Sequence, residues 1–273
     1  MKLDYQLKEV RPYINWLYFF FAWGLSGKPQ SEKDALRKEA EQMLDQWEGR
    51  FRTHALFLLA TANSDGDDII ADGVRIPMLR QQHAANGKPN LCMADFIRPL
   101  SKGVTDKVGL FACTVDSAME RSGGDDPYLR MMSQTLSDRL AEATAERLHL
   151  DVRRKYWGYA PNEHLSTEDL LMERYQGIRP AVGYPSLPDT SMNFLLDSLL
   201  DMAQIGIRLT ESGMMSPHAS VSGFMMAHPK AHYFELGSIG EDQLRDYARR
   251  RGLPVETMRR FLQTSLNNSQ QPK

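Results

Sequence analysis

Several features that mark common protein classes are missing from this sequence. Its 273 residues contain only two cysteines, Cys92 and Cys113, which form no CxxC pair. We therefore expect reduced thiols in a core, and neither a disulfide scaffold nor a cysteine-based metal centre. The 33 basic and 35 acidic residues leave a formal charge of -2. Since neither sign dominates, the composition favours neither nucleic acid nor an anionic membrane as a partner.

Long apolar segments are missing as well. The most apolar run is INWLYFFFAWGL, residues 14–25. As a helix it would extend about 18 Å, against a hydrocarbon core of about 30 Å, so we predict a buried helix and no membrane association. The N-terminal MKLDYQLKEV carries acids where a signal peptide is apolar. These features predict a cytoplasmic protein.

Motifs for nucleotides and metals are also absent. No GxGxxG follows a predicted strand, and neither a complete P-loop nor an HExxH is present. Of the seven histidines, only His218, His228 and His232 lie near one another. Pro229 interrupts the helical spacing that a ligand pair would need, so we predict no metal site. NSDGDD, residues 63–68, lacks the terminal Glu of a calcium loop and is predicted to form a hairpin turn.

Hydrophobic periodicity predicts helices and strands in a mixed order. Helices are expected after Pro12 and over 31–50, 127–154, 166–176, 193–202, 241–251 and 255–262, and strands over 3–10, 54–76 with a turn at 65–66, 91–97 and 106–115. Residues 219–227 and 232–239 are predicted to form a hairpin. Sequential strands favour a largely antiparallel sheet. Because no repeat or linker divides the chain, we predict one domain over 1–273 with a frayed tail at 265–273.

The stretch GIRPAVGYPSLPD, residues 177–189, holds a single arginine among three prolines. Pro180 favours an extended backbone at Arg179. We therefore expect a rigid segment that presents the planar guanidinium to a neighbouring acidic group or ligand. A ligand carboxylate would use that group fully. A salt bridge to Glu142 or another acid fits the spacing equally well. Tyr184 is likewise compatible with core packing or with a ligand wall.

Six segments in a fixed order carry a known pattern: YWGYAPNE, YQGIRPAVGYPSLPD, LTES, PHASVSGF, AHPKAHYFELGSI and DYARRRGLPVETMRRFL. Together they resemble the C-terminal reactivation domain of cobalamin-dependent methionine synthase. The resemblance extends back through SDRLAEATAERLH, CMADFI and YINWLYFFFAWGLSGK. It covers nearly the whole chain and is weakest between residues 50 and 127.

The resemblance implies a single α+β domain, with a curved, mainly antiparallel sheet flanked by helices, that binds S-adenosylmethionine. Position by position, it assigns the ligand contacts to Arg179, Ala181, Glu142, Tyr233, Phe234 and Asn15. An arginine suits the ligand carboxylate, an acid suits its ammonium or ribose hydroxyls, and an aromatic face suits the sulfonium and adenine. Tyr184 would face the cobalamin.

Two departures from the family pattern accompany these assignments. Asn15 stands where the family usually has an acid, so a hydrogen bond is kept while a negative charge is lost. The segment SLPDTSMNF after GYP also differs from the family. The chain has neither the DxHxxG signature that ligates cobalt through histidine nor a cysteine cluster for zinc. Cobalamin is therefore expected only on a partner chain.

The resemblance predicts a reactivation subunit that acts in trans on a truncated cobalamin-dependent methionine synthase. It would supply the methyl group of S-adenosylmethionine to the partner's reduced cobalt, with a flavodoxin-like or ferredoxin-like protein as electron donor. No catalytic side chain is required of this chain. Because the cobalamin is expected on the partner, methyltransferase activity is expected only together with that partner. The alternative is a non-catalytic module that binds or senses S-adenosylmethionine, or an activator of another corrinoid protein.

Overall fold

The computed structural model describes residues 1–84 and 87–266. The strands in these ranges are β1 (Lys2–Gln6), β2 (Arg52–Asp65), β3 (Asp68–Ala71), β4 (Val74–Pro77), β5 (Asp106–Val115), β6 (Arg208–Leu209), β7 (Met215–Ser216) and β8 (Ser220–Met225). The α-helices are α1 (Leu7–Val10), α2 (Trp16–Ala22), α3 (Gln30–Trp47), α4 (Ser117–Glu120), α5 (Pro127–Asp151), α6 (Thr167–Leu171), α7 (Met192–Leu200), α8 (Glu241–Arg251) and α9 (Val255–Phe261). Among the described helices, none is both long and apolar enough to cross a membrane.

A curved antiparallel sheet forms the centre of the fold. Its strand order is β4-β3-β2-β5-β8, and β1 also pairs with β2. The 14-residue β2 pairs along most of its length with β5, so β1 and β3 share its other edge, at opposite ends of the strand. The predicted α+β class with a mainly antiparallel sheet is confirmed.

Strand β5 is buried on both faces, which explains its nearly unbroken apolar sequence. Phe111, Cys113 and Val115 join a core cluster that includes residues of α3 and α5. Leu110 and Ala112 point the opposite way, into a cluster that includes residues of α7. The sheet therefore lies between two helical layers.

The long helix α5 begins as its sequence predicts. The Asp126 side chain accepts hydrogen bonds from the backbone N–H groups of Tyr128 and Leu129, and Pro127 occupies the first turn. The helix runs to Asp151, and a π-helical turn continues it over Val152–Tyr156. This helix crosses behind β5 and carries part of the site described below.

Two predicted strands are wrong. The segment LCMADFI forms a 3-10 turn over Met93–Phe96, where Asp95 accepts a hydrogen bond from the Cys92 N–H. No strand forms over 232–239, so the predicted hairpin does not exist. The free edge of β8 is instead used by the loop 177–189, through reciprocal backbone bonds of 2.9 Å between Ile178 and Met226.

Other predicted elements are shorter than expected. The first strand ends at Gln6, and the chain continues as helix α1. The strand after the turn at 65–66 is split into β3 and β4 by a second turn, where Asp72 has a φ of 45°. Helix α6 ends at Leu171, and Glu173 adopts a φ of 56°. Apolar periodicity alone could not locate these polar turns.

The C-terminal helices pack as a separate small cluster around Tyr247, Met258 and Leu262. Gly252 closes α8 with a φ of 65°, as predicted. Within the predicted frayed tail, Ser265 accepts a hydrogen bond from the Ile239 N–H. Residues 267–273 of that tail lie outside the described residues.

Candidate functional site

A cavity of about 700 Å³ opens between α2, α5, the loop 177–189 and the segment 233–235. We call it the main cavity. Its walls include every residue that the resemblance assigned to a ligand or to cobalamin: Asn15, Glu142, Arg179, Ala181, Tyr184, Tyr233 and Phe234. These residues are spread over more than 200 positions of the sequence. The fold brings them to one place.

Arg179 lies at the base of the main cavity, with its side chain only 11% exposed. Its Nη2 donates a hydrogen bond of 3.0 Å to the Glu146 carboxylate, and the guanidinium lies 5.9 Å from the centre of the Phe111 ring. Burial acts to lower the pKa of Arg179, but Glu146 and the other acidic groups nearby together outweigh it, so the pKa is raised. Arg179 is therefore a permanent cation beside the cavity.

The Arg179–Glu146 pair is incompletely satisfied. Arg179 Nε and Glu146 Oε1 are both buried, and within the described residues neither has a hydrogen-bond partner. The sequence allowed either a ligand-facing arginine or a salt bridge to an acid. The structure has the salt bridge, with Glu146 and not Glu142 as its acid, and it also places the arginine in the cavity wall.

The backbone of the loop 177–189 is fixed by β8. The Phe224 N–H donates to Pro180 at 3.0 Å, and the Val182 N–H donates to Ser222 at 2.9 Å. Close approach is possible because Gly223 has no side chain, since a Cβ there would lie 2.1 Å from the Pro180 carbonyl oxygen. The glycine of the VSGF segment thus sets the position of Arg179.

Tyr233 and Phe234 form the part of the cavity wall next to Arg179. The Tyr233 hydroxyl accepts a hydrogen bond of 2.9 Å from the Arg179 backbone N–H. Burial raises the pKa of Tyr233, so its phenol stays protonated at neutral pH. Phe234 packs against Phe96, with ring centres 6.3 Å apart. Two aromatic rings therefore flank the arginine side of the cavity.

Glu142 and Tyr184 meet at the cavity rim. The Tyr184 hydroxyl donates a 2.5 Å hydrogen bond to Glu142, and Tyr184 is 48% exposed. Partial burial, followed by the charge of Glu142, raises the pKa of this tyrosine. Tyr184 is thus a partly exposed aromatic residue held at the rim by an acid.

Asn15 lines the main cavity and also caps helix α2. Its side-chain oxygen accepts a hydrogen bond of 3.1 Å from the Leu17 N–H. This local role explains the presence of an Asn at the helix start, because Asn and Asp are among the preferred N-cap residues. The side-chain oxygen is already engaged, which leaves the amide nitrogen for any further contact.

Sequence reasoning missed three acids of the cavity wall, Glu146, Glu173 and Glu235. Glu146 lies one helical turn after Glu142, and its side chain is 8% exposed. A signal was available in four polar residues, because buried polar residues on a core helix need partners. Their spacing places them on one face of α5 and of the π-helical turn that continues it: Glu142, Glu146, His149 and Arg153. Partial burial raises the pKa of Glu173, which follows the unpredicted end of α6.

The YWGYAPNE segment supports the floor of the site. Arg153 is fully buried and forms paired hydrogen bonds with Glu163 at 2.8 and 2.9 Å. His149 is also fully buried, and its Nε2 lies 3.3 Å from the Tyr159 hydroxyl. Burial, together with the nearby Arg153 and Arg179, lowers the pKa of His149 well below its ordinary value. His149 therefore stays neutral at physiological pH.

The three neighbouring histidines of the sequence separate in space. His218 Nδ1 lies 3.1 Å from Asp138 Oδ1, with Glu120 beside them. His228 and His232 pack around the Phe96 ring instead, at 6.3 and 5.8 Å between ring centres. The three histidines therefore form no common cluster.

The chain therefore combines an α+β fold with a cavity whose volume would accommodate a small molecule. Residues 6–252 match the family described as vitamin B12 dependent methionine synthase, activation domain, and this chain belongs to that family. A crystal structure of the MetH reactivation domain bound to AdoHcy is similar to it, with 38% sequence identity and a TM-score of 0.91. The match covers 98% of this chain and 90% of that one. The resemblance drawn from the sequence motifs is confirmed.

Proposed function

We propose that this chain binds S-adenosylmethionine in the main cavity and presents its methyl group to the reduced cobalamin of a partner methionine synthase. The convergence of all seven assigned residues on one cavity is the observation that carries the proposal. The AdoHcy of the similar reactivation domain is the demethylated form of the same ligand. On this proposal, residues 1–273 work as one domain that acts in trans.

The side chains of the main cavity fit the functional groups of this ligand. Arg179 would hold the carboxylate, because its guanidinium belongs to the cavity wall and makes one hydrogen bond, from Nη2 to Glu146, within the described residues. Glu142 would receive the ammonium or a ribose hydroxyl. Tyr233 and Phe234 offer aromatic faces to the adenine or the sulfonium. The backbone at Ala181, which is fixed against Gly223, would support the ligand from the β8 side.

The sulfonium supplies an activated methyl group, and the residues of this chain act by placing it. Holding the reactants in an aligned geometry can lower the barrier to a reaction by about 7 to 11 kcal/mol. Transfer of a methyl group from a sulfonium moves no proton, so the proposal requires no acid or base from this chain. Tyr184 is the partly exposed aromatic residue of the rim, and we propose that it faces the partner's corrin. An electron from a flavodoxin-like or ferredoxin-like protein would reduce the partner's cobalt beforehand.

The cysteines are consistent with work in a reducing compartment such as the cytoplasm. Cys92 and Cys113 are buried and unpaired. Burial raises the pKa of Cys92 to about 12, so its thiol is unreactive at neutral pH. Neither cysteine would compete with a reduced cobalt centre for the methyl group.

Transfer of an isotope-labelled methyl group tests the proposal. The chain is mixed with labelled S-adenosylmethionine, a cobalamin-loaded methionine synthase lacking its own reactivation domain, and a reductant. We expect label on the cobalamin with wild type and with Arg174→Ala, which removes an exposed arginine outside the cavity wall. Arg179→Ala should abolish the transfer. Ligand binding without transfer to any corrinoid protein would contradict the proposal and favour a sensing module.

A further inference from the structure

The main cavity has an excess of negative charge. Among the described residues, four carboxylates line it, from Glu142, Glu146, Glu173 and Glu235, whereas Arg139 and Arg179 supply its two cations. The four charges of one sign and two of the other give a net charge of -2 in the cavity wall. S-adenosylmethionine differs from its product S-adenosylhomocysteine by one positive charge on sulfur. A negative wall should therefore favour the reactant over the product.

Burial distinguishes Glu146 from the other three acids. Glu142, Glu173 and Glu235 lie where solvent and ions reach the cavity, and charges in such positions are screened. The Glu146 side chain is only 8% exposed, and its Oε1 has no hydrogen-bond partner within the described residues. The field of a buried charge is weakened far less by the solvent. Glu146 should thus contribute most to the charge preference of the cavity.

Glu146 also balances the charge of Arg179. The two side chains are joined by one hydrogen bond of 3.0 Å, which uses Nη2 of the arginine. A ligand carboxylate can then use the arginine as a hydrogen-bond donor without placing an uncompensated cation beside the sulfonium. Removal of the Glu146 charge would leave only the ligand carboxylate to balance Arg179, and the net charge of the cavity wall would change from -2 to -1. Loss of this negative charge would weaken binding of the sulfonium more than binding of the neutral thioether.

We propose that Glu146 is a specificity-determining residue that makes the main cavity prefer a positively charged sulfonium over the corresponding thioether. This inference rests on the proposed function, because it takes S-adenosylmethionine as the ligand. Loss of the methyl group removes the positive charge that the cavity favours. The product should therefore bind less tightly than the reactant.

Calorimetric titration of S-adenosylmethionine and S-adenosylhomocysteine into wild type, Glu146→Gln and Glu146→Asp tests this role. A unit charge about 8 Å away in an effective dielectric of about 20 changes binding by about 30-fold before screening. We therefore expect the ratio of the two dissociation constants to shift toward the thioether by at least about 5-fold in Glu146→Gln. Glu146→Asp, which keeps the charge, should keep the wild-type ratio.

Asp138→Asn is the matched control. Asp138 lies one helical turn before Glu142, as Glu146 lies one turn after it, but Asp138 is 32% exposed and outside the cavity wall. Its removal should change the ratio by less than about 2-fold at about 0.15 M salt. An equal loss of both ligands in Glu146→Gln would overturn the inference, because it would show that Glu146 only positions Arg179.

If Glu146→Gln does not fold, the ratio of the two dissociation constants can be measured in wild type at several salt concentrations. A preference that comes from a buried charge should persist from about 0.05 to 0.5 M salt, whereas one from exposed acids should disappear. Loss of the preference at high salt would also overturn the inference. Failure of wild type to bind either ligand would instead refute the proposed function.

Discussion

Gly223→Ala should separate the loop 177–189 from β8 and displace Arg179. The new Cβ would lie 2.1 Å from the Pro180 carbonyl oxygen and 2.9 Å from the Ala181 Cα, both of which are backbone atoms. The loop must therefore move by about 1 Å, which costs about 1 to 3 kcal/mol in strain. Loss of the Phe224–Pro180 and Val182–Ser222 hydrogen bonds adds about 1 kcal/mol each. The free energy of unfolding should fall by about 3 to 5 kcal/mol.

Urea unfolding measures this loss, and titration of S-adenosylmethionine into the folded variant measures the displacement of the site. We expect the affinity to fall by at least about 10-fold, because the proposed contact between Arg179 and the ligand carboxylate depends on the position of the loop. Gly109→Ala is the control: its Cβ would meet the Met225 and Phe57 side chains at 2.9 Å and no atom of the loop within 3.6 Å among its three nearest neighbours. It should lower stability without changing affinity. Wild-type stability and affinity in Gly223→Ala would refute the role given to this glycine.

Three further predictions concern other residues of the site. The lowered pKa of His149 means that, below about pH 6.5, the unfolded chain takes up a proton while the folded chain does not. The free energy of unfolding should therefore decrease by up to about 1.4 kcal/mol for each unit by which the pH is lowered below about 6.5. Urea unfolding between about pH 7.5 and 5.5 should show this slope in wild type and a flatter one in His149→Gln. Asn15→Asp keeps an N-cap and adds a negative charge, so titration should show tighter S-adenosylmethionine binding by about 3- to 10-fold at an unchanged melting temperature, and weaker binding would contradict the assignment of Asn15. Tyr184→Phe frees Glu142 from a hydrogen bond worth about 1 kcal/mol, so the same titration should show about 5-fold tighter binding, whereas an unchanged affinity would mean that Glu142 makes no ligand contact.

The main layers of the fold could be predicted from local patterns. The helix α5 and the strand β5 follow directly from apolar periodicity and from an unbroken apolar run. The segment 232–239 is predicted to be a strand because it follows 219–227 after a short connection, as the second strand of a hairpin would. Its hydrogen bonds depend on which segment occupies the edge of β8, and that is decided by the loop 177–189, more than forty residues earlier. Competition for one sheet edge is not visible in either segment alone.

The site was predictable in its members and less so in its pairings. Motif resemblance named seven residues that share one cavity. It could not show that the acid beside Arg179 is Glu146, because Glu142 and Glu146 differ by one turn of α5 and both fit the spacing. Nor could it show that Tyr184 holds Glu142. Such pairings depend on side-chain rotamers and on the tilt of the helix, which no local sequence pattern encodes.

Binding of S-adenosylmethionine to the purified chain tests the central claim most directly. Calorimetry should show one site in wild type and in Arg174→Ala. Arg179→Ala should lose at least about 10-fold in affinity, because a charge-assisted hydrogen bond to the ligand carboxylate is worth about 1.5 to 3 kcal/mol. Equal affinity in wild type and Arg179→Ala would contradict the account, as would the absence of any binding to the wild-type chain.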